Sequence, residues 1–148
     1  IDPQVIEERL CEHPDVVLAA AVGQPDAHAG EVPMAYVVLR EGSTVSAQAL
    51  REFAAERVPE RAAAPVRIEI IPQMPMTAVG KIFKPRLRDL AIERVCRETL
   101  QAAGIEATIT VRADKRVGTV GTIRLGDAAS RDAATDALAR LPIAIEFE

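Results

Sequence analysis

The chain has 148 residues, of which 49% are apolar and 27% are charged. This composition is typical of a globular protein and excludes a disordered tail, a collagen-like repeat and a disulfide scaffold. The net charge of −4 and the aromatic content of 3% argue against a nucleic-acid binder, which needs a basic surface or stacking side chains. No run of apolar residues approaches the roughly 18 that a membrane span requires.

The cysteines and histidines indicate neither a disulfide nor a metal site. Cys11 and Cys96 are far apart in helical patterns, where a lone cysteine is usually a small core residue. His13 and His28 have no cluster of ligands around them, so no metal site is predicted. With so few cysteines and no signal peptide, we expect a cytoplasmic protein. The start at Ile1 rather than Met leads us to expect a fragment of a longer chain.

The first half of the chain predicts a helix, two strands, a second helix and a third strand. Asp2 and Pro3 suit the start of a helix, which Pro14 ends. The apolar run Val16–Val22 predicts a strand buried on both faces, and the polar segment Gln24–Glu31 predicts a loop. The other predicted elements are a strand at Val32–Arg40, a helix capped by Ser46 and running to about Val58, and a strand at Val66–Ile71.

After a loop over residues 72–84, the same order of elements is predicted again. A helix has Pro85 in its first turn and runs to about Ala103. Apolar and polar residues alternate over 105–112, which predicts a half-exposed strand. The remaining elements are a strand at Val117–Leu125 with a bulge near Gly121, a helix that buries Ala134, Leu138 and Leu141 and ends before Pro142, and a strand at Ile143–Phe147.

These elements predict an α+β protein, with small mixed or antiparallel sheets covered by helices. The order αββαβ occurs over residues 2–71, and an αββαβ-like unit follows over residues 85–148. Residue identity between the two halves is poor, so two explanations stay open. The repeated order can result from a duplication, or it can be a common way to cover an antiparallel sheet with helices.

The segment Pro75–Lys81 is the strongest candidate for a functional site. It is no phosphate loop, because Pro75 stands where the first glycine belongs and Ile82 where Ser or Thr would bind magnesium. Proline and glycine instead predict an exposed turn that presents Lys81, with Ile82 and Phe83 as anchors. A positive point charge there suits a carboxylate or phosphate ligand. A loop lysine before basic helix residues is also a common solvated surface, and the residues alone leave both explanations open.

A longer pattern around this segment resembles a known family. Residues 75–88 read P-M-T-A-V-G-K-I-F-K-P-R-L-R and resemble the last core motif of the adenylate-forming, or AMP-binding, superfamily. That superfamily includes acyl-CoA synthetases, peptide-synthetase adenylation domains and luciferases. The upstream residues that resemble its C-terminal domain in order and spacing are Ile1-Asp2-Pro3, Ile6-Glu7, Leu10, His13-Pro14-Asp15-Val16, Ala20-Ala21-Val22-Gly23, Pro25-Asp26, Gly30-Glu31 and Ala35-Tyr36-Val37-Val38-Leu39.

The resemblance implies a fragment of an acid–CoA ligase, most like a fatty-acid–CoA ligase. Such enzymes form an acyl adenylate from a carboxylic acid and ATP, and most then transfer the acyl group to CoA. Their small C-terminal domain moves between the two half-reactions, and its motif lysine contacts the carboxylate and phosphate region during adenylation. The resemblance therefore implies Lys81 as the catalytic residue, and Pro75, Thr77 and Gly80 as the residues that shape its loop.

The resemblance also implies partners outside the chain. ATP and its Mg²⁺ would bind to a large N-terminal domain before Ile1, and acyl adenylate and CoA are the other expected ligands. The chain alone is expected to bind no cofactor and to form no acyl adenylate. Residues 1–104 would be the mobile domain, with its motif loop at 72–84. Residues 105–148 match no family motif, and we expect a ββαβ extension that packs on the first part, with a structural or homodimer-forming role.

Two alternatives remain open at this point. Within the family, the acyl group could pass to the thiol of a carrier protein instead of CoA. From another class, the chain could be a non-catalytic binding module whose lysine loop is redundant.

Overall fold

The protein is α+β, as seen in a computed structural model that describes residues 2–60 and 63–148. Its elements are α1 (Pro3–Cys11), β1 (Val16–Asp26), β2 (Gly30–Leu39), α2 (Ala47–Arg57), β3 (Ile68–Ile70), α3 (Lys84–Ala102), β4 (Ala107–Asp114), β5 (Gly118–Leu125), a 3-10 turn (Ala128–Ser130), α4 (Arg131–Leu138) and β6 (Ala144–Phe147). The predicted class and the twofold αββαβ order are confirmed. Within the described ranges, no helix is both long and apolar enough to cross a membrane.

The chain divides into two compact units. Unit 1 contains the residues up to Gly23 together with Val32–Arg88, and unit 2 contains Gln24–Glu31 together with Asp89–Glu148. The predicted division by function has other boundaries than these units, with a mobile domain at residues 1–104 and an extension at residues 105–148. That division stays a prediction.

Unit 1 is built on a sheet with strand order β1-β2-β3, in which β3 runs parallel to β2. Asp2 begins α1 by accepting a hydrogen bond from the Gln4 amide at 2.9 Å, and Ser46 caps α2 through the Ala49 amide at 3.1 Å. Both predicted helix starts are therefore confirmed. Helices and strands share one apolar core, whose buried members are Ile6, Leu10, Ala19, Ala21, Ala35, Val37, Leu50, Ala54 and Ile68.

Unit 2 has a sheet with strand order β4-β5-β6, in which β4 is antiparallel to β5 and β6 is parallel to it. Burial alternates along β4, as predicted for a half-exposed strand. The core consists of Cys96, Leu100, Ile105, Ile123, Ala134 and Leu138. α4 ends at Leu138, earlier than predicted, and Leu141 packs against this core from the following turn.

The predicted loop at Gln24–Glu31 is mostly strand. β1 continues to Asp26 and β2 begins at Gly30, so the connection is short. Asp26 accepts hydrogen bonds from two backbone amides of the turn, and Gly30 has a φ of +80°. Pro25 fits within β1 because β1 is an edge strand, where a missing amide donor is tolerated. The polar composition indicated a loop, but the turn needs only the residues between Asp26 and Gly30.

The bulge predicted near Gly121 is wrong. The register between β4 and β5 is unbroken over both strands and pairs Val111 with Gly121. A side chain at Gly121 would come within 3.9 Å of the Ile143 side chain. The gap in the apolar alternation therefore marks a glycine that stands opposite Val111, and no extra residue is inserted.

Candidate functional site

A short hairpin, Pro75–Phe83, lies between β3 and α3, and we call it the motif hairpin. An antiparallel bridge between Met76 and Ile82 joins its two arms. At its base, the amide of the last residue donates a hydrogen bond to the carbonyl of the first at 2.8 Å. The turn predicted from proline and glycine is therefore a closed hairpin, to which Pro75 contributes a backbone acceptor as well as a fixed φ.

Thr77, Gly80 and Lys81 lie together at the end of this hairpin. The Thr77 amide donates to the Lys81 carbonyl at 2.7 Å, and the Thr77 hydroxyl accepts from the Lys81 amide at 3.1 Å. The Gly80 amide donates to the Thr77 carbonyl at 3.0 Å, and Gly80 has a φ of +83°, where glycine is favoured. Thr77 and Gly80 thus fix the backbone on which Lys81 stands.

The side chain of Lys81 is exposed. Among residues 2–60 and 63–148, no carboxylate forms an ion pair with its ammonium group. Hydrogen bonds hold the backbone of Lys81 at both its amide and its carbonyl, so the side chain that carries the charge extends from a fixed backbone. Such a cation can meet a carboxylate or a phosphate without first breaking an internal pair.

Apolar side chains of the motif hairpin are exposed on both sides of Lys81 in the sequence. The exposed fraction is 81% for Val79 and 45% for Phe83, whereas Met74, just before the hairpin, is only 5% exposed. The expectation that Phe83 anchors the loop is therefore wrong for its side chain. Met74 is the buried anchor, and no sequence signal distinguishes it from the exposed Met76.

The motif hairpin is followed directly by Lys84, the first residue of α3. The side chain of Lys84 forms an ion pair with Glu7 of α1. The distance between Lys84 Nζ and Glu7 Oε2 is 2.8 Å. The same carboxylate oxygen accepts a hydrogen bond from the Ala21 amide of β1 at 2.9 Å. Sequence reasoning assigned Glu7 no role at the site, because its partners are distant along the chain and no local pattern connects them.

The cysteines lie outside this site. Both are free, and Cys96 is buried in unit 2, where burial raises the pKa of its thiol to about 11. Cys96 is therefore an unactivated core residue, as predicted. Cys11 is exposed on α1, so the expectation of a core residue is wrong there. No group of three His, Cys, Asp or Glu side chains in the described part of the chain could hold a metal ion.

Comparison with known sequences gives one family and a set of longer relatives. The family model for the AMP-binding enzyme C-terminal domain matches residues 5–81, a range that ends at Lys81. Marinolic acid–CoA ligase from Pseudoalteromonas sp. is 44% identical over 132 residues, which cover 89% of this chain and 20% of that protein. The chain spans a fifth or less of the length of the curated relatives that it matches.

Solved structures resemble a smaller part of the chain. The amide bond synthetase McbA from Marinactinospora thermotolerans is 34% identical with a TM-score of 0.56, over 60% of this chain and 18% of that one. ATP-bound MatB from Rhodopseudomonas palustris is 26% identical with a TM-score of 0.58, over 61% and 18%. The 132 residues shared with marinolic acid–CoA ligase exceed residues 1–104, so that relative also resembles part of 105–148.

Proposed function

The chain belongs to the AMP-binding enzyme C-terminal domain family, and from that premise we propose that it is the mobile C-terminal domain of an ATP-dependent acid–CoA ligase. The whole enzyme converts a carboxylic acid and ATP to an acyl adenylate and pyrophosphate. It then converts the acyl adenylate and CoA to acyl-CoA and AMP. The similarity to a marinolic acid–CoA ligase over 89% of the chain supports CoA as the acceptor. We assign the enzyme to fatty-acid or related acyl metabolism in the cytoplasm.

The observation that carries this proposal is Lys81, which is exposed on the fixed backbone of the motif hairpin and forms no ion pair with the carboxylates of residues 2–60 and 63–148. In adenylation, a carboxylate attacks the α-phosphorus of ATP, so two negative groups must approach each other. An ammonium group between them offsets both charges and stabilises the charge that develops on the bridging oxygen. Lys81 is the catalytic residue of this step. The domain then turns, so that Lys81 leaves the active site before thioester formation.

The remaining parts of the active site belong to a large N-terminal domain. We place ATP, its Mg²⁺ and the pocket for the acid there, because the chain spans a fifth or less of the length of its relatives. One structural neighbour is an ATP-bound protein, which supports ATP as the nucleotide. The chain by itself forms no acyl adenylate.

A second acceptor class is supported by one comparison. McbA, similar over 60% of the chain, is an amide bond synthetase. By this similarity an amine would take the place of CoA, and the thiol of a carrier protein stays the other alternative acceptor. Supplying the acyl adenylate to the whole enzyme with CoA, with an amine or with a carrier protein identifies the acceptor by the product formed.

Lys81→Ala in the whole enzyme tests the proposed role. We expect acid-dependent exchange of pyrophosphate into ATP to fall by about 10²–10³, because one preorganised group that acts in the transition state is lost. Conversion of a supplied acyl adenylate and CoA to thioester should stay near normal, because Lys81 is away from the active site in that step. Lys81→Arg should also fail in adenylation, since a planar guanidinium does not replace a compact ammonium.

Lys115→Ala is the matched control, because Lys115 is another exposed lysine at a turn, between β4 and β5 of unit 2. It should leave both half-reactions unchanged. Equal impairment of both half-reactions by Lys81→Ala would make Lys81 a general structural residue. Unchanged adenylation would favour a non-catalytic binding module.

A further inference from the structure

The exit of the motif hairpin contains an ion pair that the proposed reaction does not use directly. We infer that Glu7 and Lys84 are positioning residues, and that their ion pair sets the direction in which the motif hairpin presents Lys81 during adenylation. This inference rests on the proposed function of Lys81.

The first observation is the place of the pair along the chain. Lys84 follows Lys81 by three residues and is the first residue of α3. Lys84 is therefore joined to Lys81 by only three peptide units, each about 3.8 Å from Cα to Cα, so a movement of Lys84 is passed on to Lys81. The hydrogen bonds between Thr77 and Lys81 fix the inside of the motif hairpin, but they do not fix its orientation on unit 1.

The second observation is what Glu7 touches. One carboxylate oxygen, Oε2, pairs with Lys84 Nζ at 2.8 Å and accepts from the Ala21 amide at 2.9 Å. A single atom therefore connects α1, β1 and the start of α3. Both charged side chains are less than a third exposed, at 22% for Glu7 and 29% for Lys84, so solvent screens this pair less than a surface pair.

The third observation is the electrostatics of the helix start. A lysine at the first position of a helix is unfavourable, because the N-terminal end of the helix dipole is positive. α3 has no acidic residue in its first turn. Glu7 supplies the missing negative charge from another helix, so this pair fixes α3 where its own sequence would weaken it.

These contacts predict an effect on one half-reaction only. In the whole enzyme, Glu7→Gln keeps an oxygen for the Ala21 amide but removes the charge that holds Lys84. Lys84→Met removes the other charge and keeps the length of the side chain. Each should lower the rate of acid-dependent pyrophosphate exchange about 10- to 100-fold, as misplacement of a reacting group by about 1 Å does. Thioester formation from a supplied acyl adenylate should change less than about twofold, within the range of a neutral surface substitution.

Three comparisons separate positioning from a merely structural role. Lys84→Arg keeps a cation for Glu7 and should restore most of the adenylation rate. Glu7→Gln together with Lys84→Met should be no worse than either alone, because both remove one interaction. In a Lys81→Ala enzyme, Glu7→Gln should have no further effect on adenylation, because Glu7 acts through Lys81.

Glu69→Gln is the matched control. Glu69 lies on β3 of the same unit and pairs with Arg67 at 2.9 Å, with a side chain 29% exposed. This substitution should leave both half-reactions unchanged. Its result shows whether loss of any ion pair of unit 1 is enough to impair adenylation.

Several results would overturn the inference. Equal losses in both half-reactions, an unchanged adenylation rate, or a further loss on the Lys81→Ala background would each remove the positioning role. Failure of the proposed function is distinguishable, because Lys81→Ala alone would then leave adenylation unchanged. If Lys81→Ala impairs adenylation and Glu7→Gln does not, only the positioning role fails.

Discussion

Units 1 and 2 share a topology and differ in what they add to it. In each, a helix and two strands precede a second helix and a third strand, and the third strand runs parallel to the second. Unit 1 also contains the motif hairpin, which lies between β3 and α3 and bears the exposed cation Lys81. A shared topology therefore does not imply a shared function, because the proposed chemistry depends on a connection between elements.

The sheets of the two units also differ in burial. In β1 and β2, four consecutive residues are buried, which means that both faces of these strands are covered. In β4, half-buried and exposed residues alternate, so one face is open to solvent. The open face of unit 2 bears the polar side chains Arg112, Thr122 and Glu146, which bond to one another. Unit 2 therefore has polar contacts on its open face, whereas β1 and β2 of unit 1 are buried on both faces.

The largest expected effect comes from truncating one core leucine in each unit. Leu10 in unit 1 and Leu138 in unit 2 are almost completely buried. Leu→Ala at either site should lower the free energy of unfolding by about 2–5 kcal/mol, since a cavity is left in a packed core. Denaturant unfolding of the whole enzyme, followed by amide exchange in each unit, measures this loss.

The same two variants separate the roles of the units. Per folded molecule, Leu138→Ala should leave adenylation unchanged, because residues 105–148 are expected to have a structural or homodimer-forming role. Leu10→Ala should lower it, because Leu10 lies one turn from Glu7 on α1. A selective loss of adenylation in Leu138→Ala would give unit 2 a part in the reaction.

The sequence predicted the features that depend on neighbouring residues. The caps Asp2 and Ser46 fix the starts of α1 and α2 through amides two or three residues away, so local patterns are sufficient. The residues of the motif hairpin are contiguous, and any fold of the segment brings Thr77, Gly80 and Lys81 close together. The difference between a continuous apolar run and an alternating one likewise predicted the burial of β1 and β4.

Features set by distant contacts could not be predicted in this way. Glu7 meets Lys84 only because the fold brings α1 beside the start of α3. Phe83 is apolar and was expected to be buried, but no sequence pattern shows which side of a nine-residue hairpin faces the core. The length of β1 depends on pairing with β2, which outweighs the polar composition of Gln24–Glu31.

A smaller loss of stability is expected when a glycine at a turn of either unit is replaced by alanine. Gly80 and Gly118 both have a φ of +83°, and an added Cβ would meet no atom within 4 Å at either site. Glycine→Ala should therefore destabilise each turn by backbone strain alone, by about 1–2 kcal/mol. Only Gly80→Ala should also lower adenylation, because Gly80 immediately precedes Lys81. Thermal unfolding and pyrophosphate exchange measure the two effects.

Gly121→Ala is the control for this pair. Gly121 lies in β5 without a positive φ, and an added Cβ would have ordinary contacts at 3.9 Å. We expect unchanged or slightly higher stability, because alanine restricts the unfolded chain. If Gly118→Ala lowers adenylation as much as Gly80→Ala, the turn of unit 2 takes part in the reaction and the contrast between the units is wrong.

The smallest expected effect is the acid sensitivity of the open face of unit 2. The Arg112 guanidinium donates to both oxygens of Glu146, at 2.7 and 2.8 Å, and the Thr122 hydroxyl donates to one of them at 2.7 Å. These bonds, first those from Arg112, lower the pKa of Glu146 from its usual 4.5 to about 2. The folded value is below the unfolded one, so the stabilisation is present above about pH 4.5. It is lost as the pH falls toward 2.

Protection factors of the amides in β4–β6, measured from pH 5 to pH 2.5, should therefore fall with acidity, and Glu146→Gln should flatten this dependence. Unit 1 provides the comparison, since the Ser43 hydroxyl, and then Arg40, lower the pKa of Asp15 there. Asp15→Asn should flatten the acid response around β1 and leave that of β4–β6 as it is. Because Glu146 lies on a solvent-facing surface, its effect should weaken in high salt. An acid response of β4–β6 that persists undiminished in Glu146→Gln would mean that Glu146 does not carry it. Asp114 would then be the source, since the Arg116 and Val117 amides and the Arg112 guanidinium lower its pKa as well.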